Sequence, residues 1–591
     1  MYFPAVDSFV RWLIAPLAIA FLLSGLDDAA IDFAWIYAWL ADRLTLPRRA
    51  LRRPPDAPPV PIAILVPLWK EHAVITRMLE HNLAAIRYPD YHIFAGIYAN
   101  DAQTEDAVAA VSERYPNVHL AVCPHDGPTS KADCLNWIYQ HVGLYEEQND
   151  ISFAIIVTHD AEDMIHPEEL RWVNAYAVHY DFIQIPVLAL ATPFWSFTHG
   201  VYCDEFAEYH TRDMVVRSRF GCFVPGSGVG TGYRREALEG LARVSANRVF
   251  EPEALTEDYE SGLRLYRLGC RQVFVPLTRL RRWSNDFVAT REFFPQSWGT
   301  ALRQRTRWVT GIALQGWERF GWAGSTSEIY WLWRDRKGLI GSPLGVVANA
   351  VFFYGLFTAM WTRLTPLDTA LTSATLSLQV WRMAIRMSCV ARVYGPRFAL
   401  GVPLRALYAN VLNAAATLEA VAVYAAAKFE GRPLRWMKTE HAYPSRAALI
   451  ENKQKLGAVL VWCQYLAPED LAIALAAKPA GVRLGDFLVE QRKITVADLY
   501  EALSLQQNVP YGKPRPETIS RPVTRSLPAE VAKRWKVLPY KVAAGHLFVA
   551  GSELPSDAMH DDLRKFSSLE IRFHLVTPTE FEELAQEYLP Q

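Results

Sequence analysis

The chain has 591 residues, of which 51% are hydrophobic and 21% charged, and its 61 basic side chains nearly balance its 62 acidic ones. This balance argues against a partner that is a nucleic acid polymer, and the length predicts several domains. The seven cysteines form no CxxC pair, so the sequence indicates neither a disulfide framework nor a zinc site and fits a reducing compartment.

An apolar run at residues 12–25 follows Arg11 and precedes a second apolar patch at residues 29–40. The first run is short for a membrane span of about 20 residues. No small-residue cleavage site follows it, so a retained anchor is favoured over a signal peptide. An arginine-rich stretch at 48–53, RRALRR, then predicts that the following chain is cytoplasmic. We assign residues 1–54 to an N-terminal membrane anchor.

Residues 55–335 alternate apolar runs with helical patterns, beginning with PVPIAILVPLWKE at 59–71. The later runs in YHIFAGIYAND, HLAVCP and FAIIVTHDAED are also continuous, as expected of parallel strands that are buried on both faces. The alternation predicts a doubly wound α/β domain, whose ligands bind at the carboxyl ends of the strands. No GxGxxG follows the first run, which argues against a dinucleotide-dependent hydride transferase.

Carboxylates cluster where the fourth apolar run ends, in the sequence THDAED. Asp160, Glu162 and Asp163 are so close in the chain that they repel unless a cation lies between them. Mg²⁺ and Mn²⁺ take oxygen ligands together with substrate phosphates, so this turn is a candidate metal site. A solvated acidic turn that caps the next helix is the alternative, and an isolated DxED would favour it.

A second motif, TED, opens the helical pattern of ALTEDYESGLRLYRL. Thr256 is a candidate N-cap, and Glu257 and Asp258 fall in the first helical turn. The helix dipole would keep Asp258 ionised and able to act as a base, although capping alone would explain the same pattern.

A third motif, QRTRW, places Gln304, Arg307 and Trp308 at positions i, i+3 and i+4 of a predicted helix, and hence on one face. That face offers an amide, a guanidinium suited to phosphate and a flat ring suited to a sugar. An amphipathic surface helix in front of a membrane segment is the alternative.

In chain order these motifs resemble those of family 2 glycosyltransferases, and more narrowly those of membrane-embedded synthases such as cellulose synthase. The D, DxD, TED and QxxRW signature is matched at Asp101, Asp160, 256–258 and 304–308. The segment VPGSGVGTGYRREAL lies between the DAED and TED motifs. The resemblance covers about residues 60–430. It implies an α/β GT-A (Rossmann-like) glycosyltransferase domain followed by α-helical transmembrane segments.

The resemblance also implies a site for a UDP-sugar donor and a divalent cation. Asp160 would hold Mg²⁺ or Mn²⁺ on the donor diphosphate. Because DAED departs from a plain DxD, either Glu162 or Asp163 would be the second acidic ligand. Glu71 and Asp101 would hold the uridine. The complete set implied to bind the donor is Pro67, Trp69, Glu71, Asp101, Lys131, Gln304 and Arg307.

Catalysis would follow from the TED motif. Asp258, beside Glu257, would take the proton from the acceptor hydroxyl as that oxygen attacks the anomeric carbon, while Trp308 would stack under the acceptor glycan. Displacement with one base and no carboxylate nucleophile implies inversion, so an α-linked UDP-sugar would give a β-linkage.

Residues 336–440 contain two apolar blocks, 342–361 and 403–427, that are long enough to cross a membrane. Between them, 369–395 is apolar but carries three arginines on one side: Arg382, Arg386 and Arg392. Arginine is costly within a membrane, so this segment either lies in the interface or faces a polar path for a growing polymer.

The tail, residues 441–591, contains a repeat, because 455–478 and 483–506 match at an offset of 28. Two packed helical hairpins without a ligand would explain the pattern. Its RLGxxLV also resembles the α+β MshE-type N-terminal domain, which binds cyclic di-GMP, and 515–588 resembles the small α/β half of that domain. The residues that fit the cyclic di-GMP motif are Leu456, Gly457, Arg483, Leu484, Gly485, Leu488 and Gln506.

The first repeat departs from this motif, since Lys455 stands at the opening arginine position and Lys478 at the closing glutamine position. A lysine lacks the planar fork with which an arginine stacks on guanine and pairs with it. The sequence contains no GxxxxGK[ST], which separates the tail from the ATPases that carry such domains.

The whole arrangement resembles the phage-adsorption protein B group of inner-membrane glycosyltransferases. It implies a bacterial inner-membrane, multi-pass protein whose catalytic and C-terminal domains are both cytoplasmic if an even number of crossings follows the transferase. The leading hypothesis is an inverting hexosyltransferase that polymerises an exopolysaccharide under cyclic di-GMP control. Its partners would be a UDP-sugar, a glycan acceptor, membrane lipid and an outer-membrane export protein. The alternatives are a non-processive lipid-linked sugar transferase and a non-catalytic membrane scaffold or phage-receptor component.

Overall fold

The computed structural model describes residues 4–45, 54, 56–279, 287–432, 434, 456–462, 465–479, 481–507, 509, 511–514, 516–543, 546–567 and 569–589. The chain divides into two compact units, Met1–Tyr443 and Pro444–Gln591. The RRALRR stretch and Lys455, both used in the sequence interpretation, lie outside the described residues.

The N-terminal region is a single helix, α1 (Pro4–Thr45), rather than the two apolar segments suggested by the sequence. Acidic residues between those segments and inside the second one do not break the helix, because Asp27 accepts from Lys337 at 2.8 Å and Asp32 from Arg212 at 2.7 Å. At 1.5 Å per residue, α1 is about 63 Å long, which exceeds the roughly 40–45 Å of a bilayer with its headgroups. Only part of α1 can therefore cross a membrane.

The first unit is built on a seven-stranded sheet of order β3-β2-β1-β4-β7-β5-β8. The four strands predicted from the sequence are parallel, whereas β7 runs antiparallel to both of its neighbours, so the sheet is mixed. A separate parallel pair joins β6 to β9. The strands are β1 (Ile62–Pro67), β2 (Tyr91–Tyr98), β3 (Val118–Cys123), β4 (Ile155–Thr158), β5 (Phe182–Gln184), β6 (Val187–Ala189), β7 (Thr231–Arg234), β8 (Gln272–Phe274) and β9 (Thr290–Glu292).

Helices cover both faces of this sheet. Alternate residues of β1 belong to two different hydrophobic cores, with Ile64 packed on one side and Leu65 on the other. This explains the continuous apolar run, since each face of the strand is buried. The helices of this region are α2 (Ile75–Ala85), α3 (Ala102–Ser112), α4 (Lys131–Asn149), α5 (Glu169–Ala177), α6 (Phe197–Glu208), α7 (Met214–Arg219), α8 (Arg235–Val244), α9 (Glu257–Arg267), α10 (Trp298–Trp308), α11 (Gly316–Phe320) and α12 (Thr326–Arg336), with π-helical turns at Tyr209–Asp213 and Val309–Gln315.

Four helices follow: α13 (Gly338–Thr358), α14 (Pro366–Tyr394), α15 (Pro396–Ala399) and α16 (Val402–Phe429), with a 3₁₀ turn at Met360–Arg363. By length and composition alone, three helices of the described chain could cross a membrane: Val6–Leu44, Gly338–Thr358 and Val402–Phe429.

Contacts with α1 give the directions of α13 and α14. Tyr354 near the end of α13 donates to Asp7 at 2.6 Å, and the residue before α13, Lys337, bonds to Asp27, so α13 runs antiparallel to the first half of α1. Thr375 of α14 donates to the Ala18 carbonyl at 2.9 Å. Further along both helices, Arg382 of α14 donates to Asp28 of α1, so α14 runs in the same direction as α1.

The arginines of the 369–395 segment face protein groups. Arg382 Nη1 donates to Asp28 of α1 at 2.5 Å, and Arg386 Nε donates to Glu208 of α6 at 2.5 Å. Arg392 Nη2 donates to a backbone carbonyl, that of residue 277, at 2.9 Å. The charges of Arg382 and Arg386 therefore dock this segment on α1 and α6, and lipid need not solvate those two charges.

Although α16 has the composition of a spanning helix, it contacts the sheet-bearing region near both of its ends. Arg405 pairs with Asp204 of α6 at 2.7 Å, and Tyr424 donates to Glu318 of α11 at 2.5 Å. The exposed large apolar residues of α16 include three at seven-residue spacing: Leu404, Val411 and Leu418. One face of α16 thus packs on α6 and α11, while an apolar face remains exposed.

The second unit begins with the two helix pairs expected from the repeat, Leu456–Trp462 with Pro468–Ala477 and Leu484–Glu490 with Val496–Gln507. A three-stranded sheet follows, of order β10-β11-β12, formed by β10 (Val537–Ala543), β11 (His546–Gly551) and β12 (Glu570–Leu575). Its first pair is antiparallel and its second parallel. The remaining described helices are Arg521–Thr524, Ala529–Trp535, Asp557–Arg564 and Pro578–Tyr588, with a 3₁₀ turn at Pro516–Thr518.

The two helix pairs pack against each other in an equivalent way. A Cβ atom on Gly457 would lie 2.6 Å from a Leu471 methyl carbon and 3.2 Å from Leu484. A Cβ atom on Gly485 would lie 2.4 Å from Leu499 and 3.2 Å from Leu456. These are the same two contacts with the roles of the two repeats exchanged. The glycines are therefore needed because leucine side chains occupy the space of a Cβ atom.

Candidate active site

The motifs found in the sequence meet at one cavity, at the carboxyl ends of β1 and β4. Parallel neighbours end at the same edge of a sheet, so residues far apart in the chain converge there. The predicted transferase residues that line the cavity are Pro67, Trp69, Glu71, Lys131, Asp160, Glu162, Glu257, Asp258, Gln304, Arg307 and Trp308.

The other two predicted residues, Asp101 and Asp163, do not line the cavity in the described structure. Asp101 accepts a hydrogen bond of 2.5 Å from the Lys70 backbone nitrogen and so orders the turn that carries Trp69. The Asp163 side chain is fully buried and accepts from the Asp160 backbone nitrogen at 2.9 Å. Of the candidate metal ligands, the structure therefore brings Asp160 and Glu162 to the cavity and places Asp163 behind their turn.

A buried histidine explains how Asp163 can be accommodated in the core. His159 Nδ1 lies 2.9 Å from Asp163 and its Nε2 lies 3.0 Å from Glu169, and all three side chains are fully buried. Burial alone would lower the pKa of His159, but Glu169 and Asp163 raise it to about 9. A charged imidazole between two carboxylates stabilises both, and this gives the acidic turn a rigid base.

Lys131 is the central cation of the cavity. It begins α4, directly after the N-cap Ser130, and its ammonium lies 2.6 Å from Asp160 and 3.7 Å from Glu257. Burial alone would lower the pKa of Lys131, but Asp160, Glu257 and Asp258 raise it above its ordinary value. The predicted repulsion between motif carboxylates is therefore relieved, in this state, by a lysine.

Burial controls the protonation of the TED carboxylates. It raises the pKa of Glu257 to about 7 and raises that of Asp258, although Lys131 and Arg307 oppose both shifts. Thr256 occupies the N-cap position, but its side chain accepts no capping hydrogen bond from the described backbone. The side-chain cap expected at Thr256 is therefore not formed in the described structure, and burial opposes the ionisation of Asp258 that the sequence predicts. A raised pKa suits a general base that works near neutral pH.

The glycine-rich loop of VPGSGVGTGYRREAL packs directly on TED. A Cβ atom on Gly226 would lie 2.6 Å from the Asp258 carbonyl oxygen. Gly228 has a φ of +78°, and a Cβ atom there would lie 3.1 Å from both the Asp258 carboxylate and the Lys131 ammonium. Only glycine allows the loop to approach the charged groups this closely.

The QRTRW motif lies at the end of α10, which Ser297 caps by accepting from the Thr300 backbone nitrogen. Gln304 Oε1 and Arg307 Nε are buried, yet neither has a hydrogen-bond partner among the described residues. Such atoms are costly unless a ligand satisfies them. Trp308 packs edge-to-face against Tyr202, with ring centres 6.0 Å apart.

Glu292 lines the same cavity, although the sequence motifs did not predict it as a site residue. It ends β9, and burial together with Asp163, Glu162 and Asp160 raises the pKa of Glu292 well above its ordinary value. β9 is a strand of three residues whose place beside β6 depends on distant parts of the chain, so no local pattern signals this residue.

The cavity carboxylates are the type of ligand that a hard divalent cation prefers, but too few of them converge to complete its coordination. Asp160, Glu162 and Glu292 offer oxygen ligands, which Mg²⁺ and Mn²⁺ prefer. Within the described ranges, no group of three or more His, Cys, Asp or Glu side chains is arranged to hold a metal ion. A cation here would therefore need further oxygens from a ligand such as a diphosphate.

Comparison with known proteins identifies two domains. Residues 58–311 match the family model described as glycosyltransferase like family 2. Residues 507–591 match the MshEN domain, and this match begins after the tandem repeat.

Solved structures that match part of the chain include MshE with cdg, 23% identical, which covers 23% of this chain and 99% of that chain with a TM-score of 0.21. They also include mannosyltransferase PcManGT from Pyrobaculum calidifontis in complex with GDP-Man and Mn²⁺. This enzyme is 17% identical and covers 67% of this chain and 99% of that chain, with a TM-score of 0.41.

Among curated proteins, bacteriophage adsorption protein B of Escherichia coli (strain K12) is 34% identical over 584 residues, which covers 93% of this chain and 78% of the relative. Bacteriophage N4 adsorption protein B of Escherichia coli O157:H7 matches with the same identity and coverage. The chain therefore belongs to the bacteriophage adsorption protein B family, with a GT-A-like glycosyltransferase domain of family 2 type and an MshEN domain.

Proposed function

We propose that the protein is an inverting hexosyltransferase that transfers sugar from a UDP-sugar to a growing exopolysaccharide at the bacterial inner membrane. The observation that carries this proposal is the meeting of Lys131, Asp160, Asp258 and Arg307 at one cavity, where two carboxylates, a lysine and a guanidinium surround space for a ligand. A nucleotide diphosphate needs cations, and a sugar hydroxyl needs a base, so this set matches both halves of the reaction.

The wall formed by the turn after β1 suits the uridine. Trp69 stands edge-on to Tyr98 with ring centres 5.4 Å apart, and Glu71 lines the cavity beside it. Asp101 supports this wall through the Lys70 backbone nitrogen and so acts on the donor through Trp69 and Glu71.

The diphosphate would lie between Lys131 and Arg307. Gln304 would donate from its amide nitrogen on the same side, since these three residues line one cavity. Asp160 with Glu162 would hold Mg²⁺ or Mn²⁺, which would neutralise charge on the diphosphate when it is bound. Lys131 would then leave its ion pair with Asp160 and turn its ammonium to a phosphate oxygen.

Asp258 would be the base. Its carboxylate would take the proton of the acceptor hydroxyl while that oxygen bonds to the anomeric carbon and the bond from that carbon to the UDP oxygen breaks. Arg307 would stabilise the leaving diphosphate, and Trp308 would support the acceptor sugar. With a single displacement the anomeric configuration inverts.

The same reasoning extends to the membrane helices. Because α16 packs on α6 and α11 near its two ends, α16 would lie in the membrane interface with its apolar face toward lipid. α13 would leave the cytoplasmic side and the first part of α14 would return, which keeps the transferase and the tail on one side. Cysteine labelling with an impermeant maleimide in intact cells tests this arrangement. Thr362→Cys should react and Lys428→Cys should not, whereas the reverse result would contradict it.

The tail would bind cyclic di-GMP through its second repeat. Arg483 precedes the helix Leu484–Glu490 and is exposed, so its guanidinium can reach a nucleotide, and Gly485 and Leu488 are buried beneath it. Lys478, which stands where the second repeat has Gln506, donates to the Val482 carbonyl at 2.7 Å. The first repeat would therefore contribute Leu456 and Gly457 to packing more than to nucleotide recognition.

A panel of UDP-sugars tests the proposal. The full-length protein in detergent with Mg²⁺ or Mn²⁺ should release UDP from one donor, and cyclic di-GMP should raise the rate. Asp258→Asn keeps the shape of the side chain and should lower the rate by about 100- to 10,000-fold while donor binding survives. Unchanged turnover in Asp258→Asn would reject the assigned base. A product of one added residue would favour a non-processive lipid-linked transferase, and no turnover with any donor would favour a scaffold.

A further inference from the structure

Three arginines lie near one another where α1 and α14 end, since the charges of Arg279 and Arg43 both act on Arg392. Arg43 lies in the last turn of α1, Arg392 in the last turn of α14, and Arg279 follows β8. Arg279 Nη2 donates to the Arg392 carbonyl at 2.5 Å, and Arg392 Nη2 donates to the Leu277 carbonyl at 2.9 Å. These acceptors satisfy hydrogen bonds but leave the positive charges in place.

Aromatic rings, and not carboxylates, lie against these guanidiniums. The Phe287 ring centre is 4.8 Å from the Arg279 guanidinium carbon and 5.9 Å from that of Arg392. The Trp39 ring centre is 4.1 Å from Arg43. Arg279 Nε is buried without a hydrogen-bond partner in the part of the chain that the structure describes. The cluster therefore has unused donor capacity.

Other arginines on the same helices are neutralised. Arg382 and Arg386 of α14 each pair with a carboxylate at 2.5 Å. By contrast, Arg43, Arg279 and Arg392 form no ion pair with any carboxylate of the described ranges. Like charges held together are unfavourable without an anion between them. The described residues therefore leave the cluster without a neutralising anion, unlike the other arginines of α14.

The surface beside the cluster is apolar. The second half of α1 exposes four large residues at helical spacing: Phe33, Tyr37, Leu40 and Leu44. Phe287, which lies against two of the arginines, packs in one hydrophobic cluster with Val402 at the start of α16, and Leu404 of that helix is 57% exposed. Aromatic and aliphatic side chains next to arginine are typical of helices at a membrane surface.

We propose that Arg43, Arg279 and Arg392 together bind the phosphate of an anionic lipid headgroup at the membrane surface. A guanidinium donates two parallel hydrogen bonds to phosphate oxygens, and three of them can surround one phosphate. Lipid is the source because its acyl chains would cover the apolar residues that flank the cluster, whereas free phosphate would leave them exposed. The site is separate from the transferase cavity and does not depend on the proposed reaction.

Native mass spectrometry of the full chain in neutral detergent tests this site. The protein should retain phosphatidylglycerol in preference to phosphatidylcholine. Arg279→Gln and Arg392→Gln keep a hydrogen-bond donor for the internal carbonyls but remove the charge, and each should weaken phosphatidylglycerol retention about tenfold. Arg219→Gln is the matched control, because it removes one charge from a neighbouring arginine that pairs with Asp42, and its retention should stay within about twofold.

Equal losses in Arg219→Gln and the cluster variants would overturn the site in favour of general charge attraction, and unchanged retention in the cluster variants would reject it. Inorganic phosphate at millimolar concentration should displace little lipid, and full displacement would overturn the lipid as the source. Arg43 is exposed, so Arg43→Gln cannot disturb the core and decides the matter if the other variants misfold. A several-fold loss of retention supports the proposal, and no loss rejects it.

Discussion

The transferase cavity and the tail repeat are two candidate nucleotide sites built in opposite ways. The cavity is lined by residues from distant parts of the chain, between Pro67 and Trp308, and its charged side chains are of both signs. Gln304 Oε1 and Arg307 Nε have no hydrogen-bond partner among the described residues. The repeat consists of two similar helix pairs whose glycines pack on leucines, while Arg483 stays exposed. In the cavity, the sign of a ligand site is a set of buried polar atoms without partners among the described residues. In the tail, the sign is only the sequence motif with its exposed arginine.

The largest effect that would test this contrast is expected at Arg307. Arg307→Ala should lower kcat by about 100- to 1,000-fold, because it removes the cation proposed for the leaving diphosphate. Arg303→Ala on the same helix is the matched control, since Arg303 is exposed and does not line the cavity. UDP release measured at saturating donor separates the two variants. Similar small losses in both would mean that the cavity charge is structural.

A second effect concerns pH. Asp258 must be ionised to act, and burial raises its pKa while Lys131 lowers it. The rate should therefore fall as pH decreases through that raised pKa. Lys131→Gln removes the opposing charge, so the acid limb of log(kcat/KM) should move to higher pH, in addition to any loss of rate. An acid limb that stays in place would show that another group controls it.

A smaller effect is expected in the tail. Arg483→Ala should weaken cyclic di-GMP binding about tenfold, because one charge-assisted contact to the nucleotide is lost. Isothermal titration of the full chain measures this change, with Arg525→Ala, another exposed arginine of the same unit, as the control. Equal weakening in both variants would mean that the repeat does not carry the site.

A further effect, on stability and not on binding or rate, concerns the symmetry of the repeat. Gly457→Ala and Gly485→Ala should each destabilise the tail by about 1–3 kcal/mol, because the new methyl group overlaps a leucine in both. Chemical denaturation followed by circular dichroism compares them. A cost at Gly485 with none at Gly457 would show that the first repeat has lost the packing of the second.

Several features were predictable because they depend on neighbours in the chain. The apolar run that became β1 indicated a strand buried on both faces, and the i, i+3 and i+4 spacing of QRTRW indicated one helix face. The repeat offset of 28 likewise indicated two equivalent helix pairs. The antiparallel strand β7 was not predicted, since three-to-four-residue strands carry little pattern of their own.

Burial decided other outcomes. The sequence offered either Glu162 or Asp163 as the second metal ligand beside Asp160, but the pairing of Asp163 with His159 removes Asp163 from the cavity. Glu292 entered the cavity from β9 without any local signal. The arginines of α14 looked costly until their partners on α1 and α6 were known.

The sequence by itself determined the first four strands and the two helix pairs of the tail, the motif residues at strand ends and on one helix face, and the family to which the chain belongs. These follow from local periodicity and from short motifs, which need no knowledge of distant contacts. Tertiary structure alone decided which carboxylate faces the cavity, which arginines are neutralised, and which apolar helix lies along the transferase. Each of those depends on what a side chain meets across the fold, and Coulomb and desolvation energies change sign with that partner.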